Sequence, residues 1–216
     1  LSSAASDVYK RQFLYSANRR MPMEGDTNFK NMKKSYSAGK ELQSRTLGII
    51  GFGRIGQEVA KRAIGLGMKV LAHDKFINEA NISLNFFNGD KKTFTIETIE
   101  IDKLLKESDF VTLHVPKTGD EALISAEKIG LMKKGSGIIN TSRGGLVDET
   151  ALMFALDKEK LAYAGLDVFD NEPTPSMHLL MHNAISMTPH IGAATNEAQD
   201  RIGIELADQI ISYFKK

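Results

Sequence analysis

One short segment constrains the fold of this chain more than any other. Thr46 to Gly56, TLGIIGFGRIG, carries an apolar strand straight into Gly51-x-Gly53-x-x-Gly56, and an amphipathic stretch, RIGQEVAKRAIGLG, follows at once. Strand, glycine turn and helix in that order make the first half of a βαβ unit, which belongs in a parallel sheet. The three glycines have separate reasons. Gly51 permits the tight turn, Gly53 lets the backbone approach a pyrophosphate, and Gly56 lets the helix pack close to the sheet. The helix N-terminus then directs free N–H groups and a partial positive charge at the phosphates. Asp74 closes the next apolar run, KVLAHD, about twenty residues on. An acid there bonds a ribose 2′-OH and repels a 2′-phosphate, so the ligand predicted is NAD rather than NADP. Lys75 beside it works against that preference.

From Thr46 onward, short apolar runs alternate with helical periodicity. KVLAHD, FVTLHV, GIINTS, LAYAGLDV and AISMT read as strands. IDKLLKESD, SAEKIGLMKKG and DETALMFALDKEK read as helices, the second starting at a Ser N-cap. On the first helix Ile55, Val59, Ala60 and Ala63 share one face. The pattern predicts an α/β fold, a doubly wound parallel sheet of Rossmann type with helices on both faces. One piece departs from it. Residues 81–101 alternate Ile82, Leu84, Phe86 and then Phe94, Ile96 around Asn88-Gly89-Asp90, which predicts an antiparallel hairpin inserted at the sheet edge. A last helix is expected from the Thr195-Asn196-Glu197 cap region through EAQDRIGIELADQIISYF.

The beginning of the chain reads differently. SSAASDVYKRQ, Ser2 to Gln12, matches residue for residue the in-frame translation of a transposase-type sequencing adapter. On that reading residues 1–12 are not native, and the chain is the back part of a longer protein. Residues 13–45 are then a connecting helix and loop, 46–194 the dinucleotide-binding domain, and 195–216 a helix returning toward a second, substrate-binding domain that is mostly missing. With a net charge of +1, no strong field favours nucleic acid or an anionic membrane as partner. Without cysteine there is no disulfide framework, which fits a reducing, cytoplasmic setting. No apolar run approaches the ~20 residues of a membrane span.

In an open parallel sheet, ligands bind beyond the carboxyl ends of the strands. Three such ends carry polar residues after apolar runs: Arg143 after GIINTS, Asp167 at the end of LAYAGLD, and His190 after AISMTP. Glu172 follows Asp167 in DVFDNEP. Taken alone, Arg143 reads as a solvated loop residue. Together with the others it suits a carboxylate anchor, since a guanidinium binds a carboxylate in bidentate fashion and polarises an adjacent carbonyl. His190 suits a proton donor and acceptor, oriented by Glu172. Asp167 suits an acceptor for the nicotinamide carboxamide. These roles together specify hydride transfer between a 2-hydroxy acid and a 2-keto acid.

GIIGFGRIG, HVPKT, INTSRGGLVDE, GLDVFDNEP and TPHIGAAT, in this order, resemble the NAD-binding domain of the D-isomer-specific 2-hydroxyacid dehydrogenases. Within that family the resemblance is strongest to the short D-3-phosphoglycerate dehydrogenases, which lack a C-terminal regulatory domain. The resemblance implies catalytic roles for Arg143, Glu172 and His190. It implies cofactor contacts at Arg54 and Ile55 for the pyrophosphate, Asp74 for the ribose, Thr141, Ser142 and Arg143 on the nicotinamide side, Asp167 for the carboxamide, and Gly192. It also implies a homodimer formed through this domain. AHDK departs from the Tyr-Asp-Pro common in relatives, on the adenine side only. The implied substrate pair is 3-phosphoglycerate and 3-phosphohydroxypyruvate. Glyoxylate or hydroxypyruvate reduction, D-lactate oxidation, and an NAD-sensing corepressor of the same fold are the alternatives. The other histidines carry less. His73 lines the adenine side or packs, His114 ends a strand near the cofactor, and His178 with His182 form an i, i+4 pair on a solvated helix face. No metal site is expected.

Overall fold

The computed structural model describes residues 41–192 and 194–214. The adapter-like segment and nearly all of the expected connecting helix and loop lie outside them. The described chain runs β1 (Thr46–Ile50), α1 (Arg54–Gly65), β2 (Lys69–His73), β3 (Glu79–Asn85), β4 (Lys91–Glu97), α2 (Ile101–Glu107), β5 (Phe110–Leu113), α3 (Ala126–Leu131), β6 (Ser136–Asn140), α4 (Glu149–Asp157), β7 (Leu161–Leu166), α5 (Met177–Leu180), β8 (Ile185–Met187) and α6 (Asn196–Phe214).

Six strands form one sheet in the order β2-β1-β5-β6-β7-β8, every neighbouring pair parallel. The chain steps from β1 outward to β2 and resumes with β5 on the other side of β1. The order therefore reverses between β1 and β5, and a crevice opens beyond Ile50 and Leu113.

Alternation along the strands feeds two cores, one on each face. Leu47 and Ile49 of β1 join Phe110, Ile139 and the buried face of α1. Ile50, Val111, Leu113 and Ile138 join Leu104, Leu105, Ile129 and Leu152 from α2, α3 and α4. On α1 the buried residues are Gly56, Val59, Ala60 and Ala63. Ile55, expected on that face, is only half-buried. It sits in the first turn of α1, next to the open glycine turn.

Local chemistry sets where the helices begin and end. The Ser125 hydroxyl caps α3 by accepting the Lys128 N–H, and Asp148 caps α4 by accepting the Ala151 N–H at 2.9 Å. α1 ends in a Schellman arrangement, with Met68 N–H on Ala63 O at 3.0 Å and Gly67 N–H on Ile64 O at 2.9 Å. The expected hairpin is present as the antiparallel pair β3–β4, with Ile82 opposite Phe94. Ile82 is buried in the α1-side core, and Thr98, just after β4, bridges in parallel to Ala72 of β2. The hairpin thus covers the β2 edge, where an open ladder would invite pairing with another chain. Along α6, Leu206, Ile210 and Ile211 are 55%, 49% and 49% exposed. No described helix is long and apolar enough to cross a membrane.

Candidate active site

The glycine turn after β1 lies against the carboxyl end of β5. Gly51 has φ +93°, and a Cβ there would stand 2.5 Å from His114 O, so both conformation and space require glycine. A Cβ on Gly56 would stand 2.1 Å from Gly51 O, which shows how closely α1 sits on the turn. Gly53 is the opposite case, since nothing lies within 4 Å of a Cβ placed on it. The open side of the turn is therefore at the helix N-terminus, where Gly53 provides no side-chain cap to the first amides.

Asp74 connects this turn to the end of β2. Its Oδ2 accepts the Phe52 N–H at 2.6 Å, and its Oδ1 accepts the N–H groups of Phe76 and Ile77 at 2.8 and 3.1 Å. Burial pushes the carboxyl up, but the amides of Phe76, Phe52 and Ile77 outweigh it and hold the group below the usual carboxylate range. Asp74 is thus a fixed anion beside the open turn. Arg54 is directed elsewhere, with its guanidinium 4.0 Å from Glu205 of α6.

The turn after β6 is framed by Asn140, which is buried at the strand end. Its Oδ1 accepts the Ser142 N–H at 3.1 Å, and its Nδ2 donates to Arg143 O at 2.8 Å. The Ser142 hydroxyl donates to Leu113 O at 2.6 Å, which ties the turn to β5. Arg143 stands exposed on this frame, its Nη1 donating to Ser142 O at 2.6 Å. Thr141 Oγ1 is buried with no hydrogen-bond partner among the described residues. Such a group costs about 1–3 kcal/mol unless something answers it, which marks this strand end as a place for a polar ligand.

Asp167, 1% exposed at the end of β7, clamps the segment that carries His190. It accepts the Thr188 hydroxyl and the Ile191 N–H on Oδ1, at 2.5 and 2.9 Å, and the Gly192 N–H on Oδ2 at 2.8 Å. His190 is held at φ +54°, a left-handed conformation unusual for a side-chain-bearing residue. Its Nδ1 lies 2.7 Å from Glu172 Oε2, and Glu172 Oε1 accepts the Phe169 N–H at 3.0 Å. The His190 hydrogen bond holds the Glu172 carboxyl below its usual range. Burial opposes this, while the Phe169 amide and the charges of His190 and Arg143 add to it. Arg143 is therefore within electrostatic reach of the pair. Because Nδ1 is engaged, Nε2 of His190 is the nitrogen left for a ligand. A cavity of about 360 Å³, walled mainly by Phe169, Pro173, Leu180, Met187 and Pro189, adjoins the pair.

The strand ends thus bring Arg143, Glu172 and His190 together, with Asp167 behind them. Asn140 and Thr188 were not singled out from the sequence. An asparagine at a strand end before Thr-Ser-Arg-Gly was the available sign, because Asn readily bonds its own following backbone. The other histidines have local partners: His73 Nδ1 with Ile99 O at 2.8 Å and His114 Nε2 with Thr112 Oγ1 at 3.1 Å. His178 and His182 do not share a helix, because α5 spans only Met177–Leu180. His182 instead faces Asp157 at 3.2 Å and accepts the Ala184 N–H at 3.0 Å. Among the described residues no group of three or more side chains is placed to hold a metal.

Residues 11–192 match the family described as D-isomer specific 2-hydroxyacid dehydrogenase, NAD binding domain. The chain belongs to this family. Its NAD-binding fold is the one built above. A hydroxypyruvate reductase of Thermotoga maritima is 46% identical over 182 residues, covering 82% of this chain and 56% of that protein. A D-3-phosphoglycerate dehydrogenase of Methanocaldococcus jannaschii is 43% identical over 174 residues, covering 80% of this chain and 32% of that protein. Among solved structures, a glyoxylate reductase from Paecilomyes thermophila superposes with a TM-score of 0.82 at 30% identity, over 98% of this chain and 62% of that one. A D-lactate dehydrogenase from Aquifex aeolicus, solved with NAD and lactic acid, gives 0.77 at 30% identity, over 99% and 67%. The chain thus spans about half the length of the first of these relatives and about a third of the second.

Proposed function

We propose that this chain is the cofactor half of an NAD-dependent enzyme that interconverts a D-2-hydroxy acid and a 2-keto acid. The observation that carries the reading is the His190–Glu172 pair at 2.7 Å, within reach of the Arg143 charge and on the same edge of the sheet as the open glycine turn. The residues present fit a dinucleotide. The turn at Gly51, Gly53 and Gly56, with the backbone at Arg54 and Ile55, takes the pyrophosphate, and Asp74 takes the ribose. Thr141, Ser142 and Gly192 would flank the nicotinamide end, and Asp167, behind them, would accept from its carboxamide. When bound, NADH supplies the hydride.

The remaining chemistry belongs to this chain. Arg143 holds the keto acid by its carboxylate and polarises the neighbouring carbonyl. His190 Nε2 delivers the proton to the carbonyl oxygen, and Glu172 on Nδ1 fixes the ring and stabilises its charged form. In the oxidative direction His190 takes the proton back.

The substrate we infer is a three-carbon 2-keto acid bearing oxygen at C3, either 3-phosphohydroxypyruvate or hydroxypyruvate. Relatives named for hydroxypyruvate and for D-3-phosphoglycerate, the reduced partner of 3-phosphohydroxypyruvate, are among the more similar proteins. The exposed Leu206, Ile210 and Ile211 of α6 support a second domain packing there in the whole protein. NADH oxidation at 340 nm by the chain extended to the length of its relatives tests this reading. The expected order of kcat/KM places the C3-oxygenated acids above pyruvate and glyoxylate. Absence of turnover with every 2-keto acid would overturn it.

A further inference from the structure

The turn that presents Glu172 is held from outside the site. Glu149, the first residue of α4, accepts the Asp170 N–H on Oε1 at 2.8 Å. On one side of Asp170, Phe169 donates its N–H to Glu172 Oε1 at 3.0 Å. Below it, the turn rests on the loop after Arg143, where a Cβ on Gly144 would stand 1.9 Å from Phe169 O. The segment from Phe169 to Glu172 is therefore fixed by its own internal bond, by backbone contact at Gly144, and by Glu149. His190 reaches the Glu172 carboxylate at the end of this segment, whereas Glu149, from α4, holds the backbone of its middle through the Asp170 N–H. Arg143, Gly144 and Glu149 lie on one short stretch, so the same segment that presents the guanidinium also holds the turn of the carboxylate beside it.

The electrostatics of Glu149 run against a purely stabilising role. Burial raises its carboxyl above the usual range. The Asp170 amide opposes that rise, and the nearby Asp170 charge adds to it. An anion placed where its charge is disfavoured is better explained by the geometry it imposes than by the stability it adds.

We propose that Glu149 is a positioning residue for the Glu172–His190 pair, acting through the Asp170 amide. Its catalytic significance rests on the dehydrogenase reading, while the positioning does not. The test follows the Glu172 carboxyl by 13C NMR through an acid titration in the wild-type chain, Glu149→Ala and Glu149→Gln. Glutamine keeps a side-chain carbonyl to accept the Asp170 N–H, whereas alanine leaves that amide without its partner. In Glu149→Ala the Glu172 midpoint moves up toward the ordinary carboxylate value. In Glu149→Gln it stays at the wild-type position. In the enzyme extended to the length of its relatives, Glu149→Ala lowers kcat about 10- to 100-fold, as expected for a misplaced catalytic group, with KM for NADH unchanged. A Glu172 midpoint that does not move in Glu149→Ala, or that moves equally in both variants, would overturn the proposal. A wild-type enzyme with no keto-acid turnover would sink the dehydrogenase reading and leave the titration result standing.

Discussion

His190 Nδ1 and Glu172 Oε2 lie 2.7 Å apart, although 18 positions separate them in the chain. The pair forms because Asp167 fixes one partner's segment from below while the Phe169 amide fixes the other.

The pairing has a consequence for stability against acid. The folded-state carboxyl of Glu172 is held below its reference value of 4.5, first by the His190 hydrogen bond. A depressed carboxyl contributes stability above its unfolded value, and that contribution is lost as pH falls through the folded value. Wild type should therefore melt higher than Glu172→Gln at pH 6, and the gap should close as pH falls below about 4.5, the reference for an unperturbed glutamate. Melting curves of the two proteins between pH 6 and pH 3 check this. A constant gap would mean that Glu172 contributes nothing through its charge.

Arg143 should separate substrate chemistry from cofactor binding. Its guanidinium is exposed and, among the described residues, bonds Ser142 O alone, so Arg143→Ala should fold normally. In the enzyme extended to the length of its relatives, kcat/KM for the keto acid should fall on the order of 10²-fold or more, as for loss of one charge-stabilising donor. The dissociation constant for NADH should barely change. Unaltered kcat/KM would remove Arg143 from the reaction.

Asp167→Ala should be costly for a different reason. It leaves the Thr188 hydroxyl and the N–H groups of Ile191 and Gly192 without their acceptor. With about 1–3 kcal/mol for the buried Gly192 donor and less for each of the two part-buried ones, the loss should exceed roughly 1 kcal/mol. Denaturant unfolding measures it, and a loss under 1 kcal/mol would show that the segment is held by other contacts.

How much of this was legible in the sequence depended on the range of the signal. The sheet, its glycine turn, the hairpin and the strand-end positions of Arg143, Asp167 and His190 are written in local periodicity and glycine spacing. Asp167 acting as a clamp was not, because its partners are 21 to 25 positions away and side-chain-to-backbone bonds leave no periodic trace. Asn140 was hidden by its place at the end of an apolar run, where it reads as the last residue of a strand. The His178–His182 pairing failed because i, i+4 spacing has meaning only on a helix, and α5 stops at Leu180. The half-burial of Ile55 depends on what the first turn of α1 meets in the folded chain, which the helix's own pattern does not record.

The most direct measurement concerns Gly53. Its φ of −71° suits any residue, and nothing lies within 4 Å of a Cβ placed there, so Gly53→Ala should fold as the wild type does. The added methyl would nonetheless occupy the space that the pyrophosphate must enter. NADH fluorescence titration of the 216-residue chain, beside melting curves, compares the two proteins. Saturable binding in wild type, weakened at least about tenfold in Gly53→Ala, the equivalent of ~1.4 kcal/mol, at an unchanged melting temperature is the predicted result. No binding in wild type, or equal binding in both proteins, would contradict the assignment of this turn as the dinucleotide site.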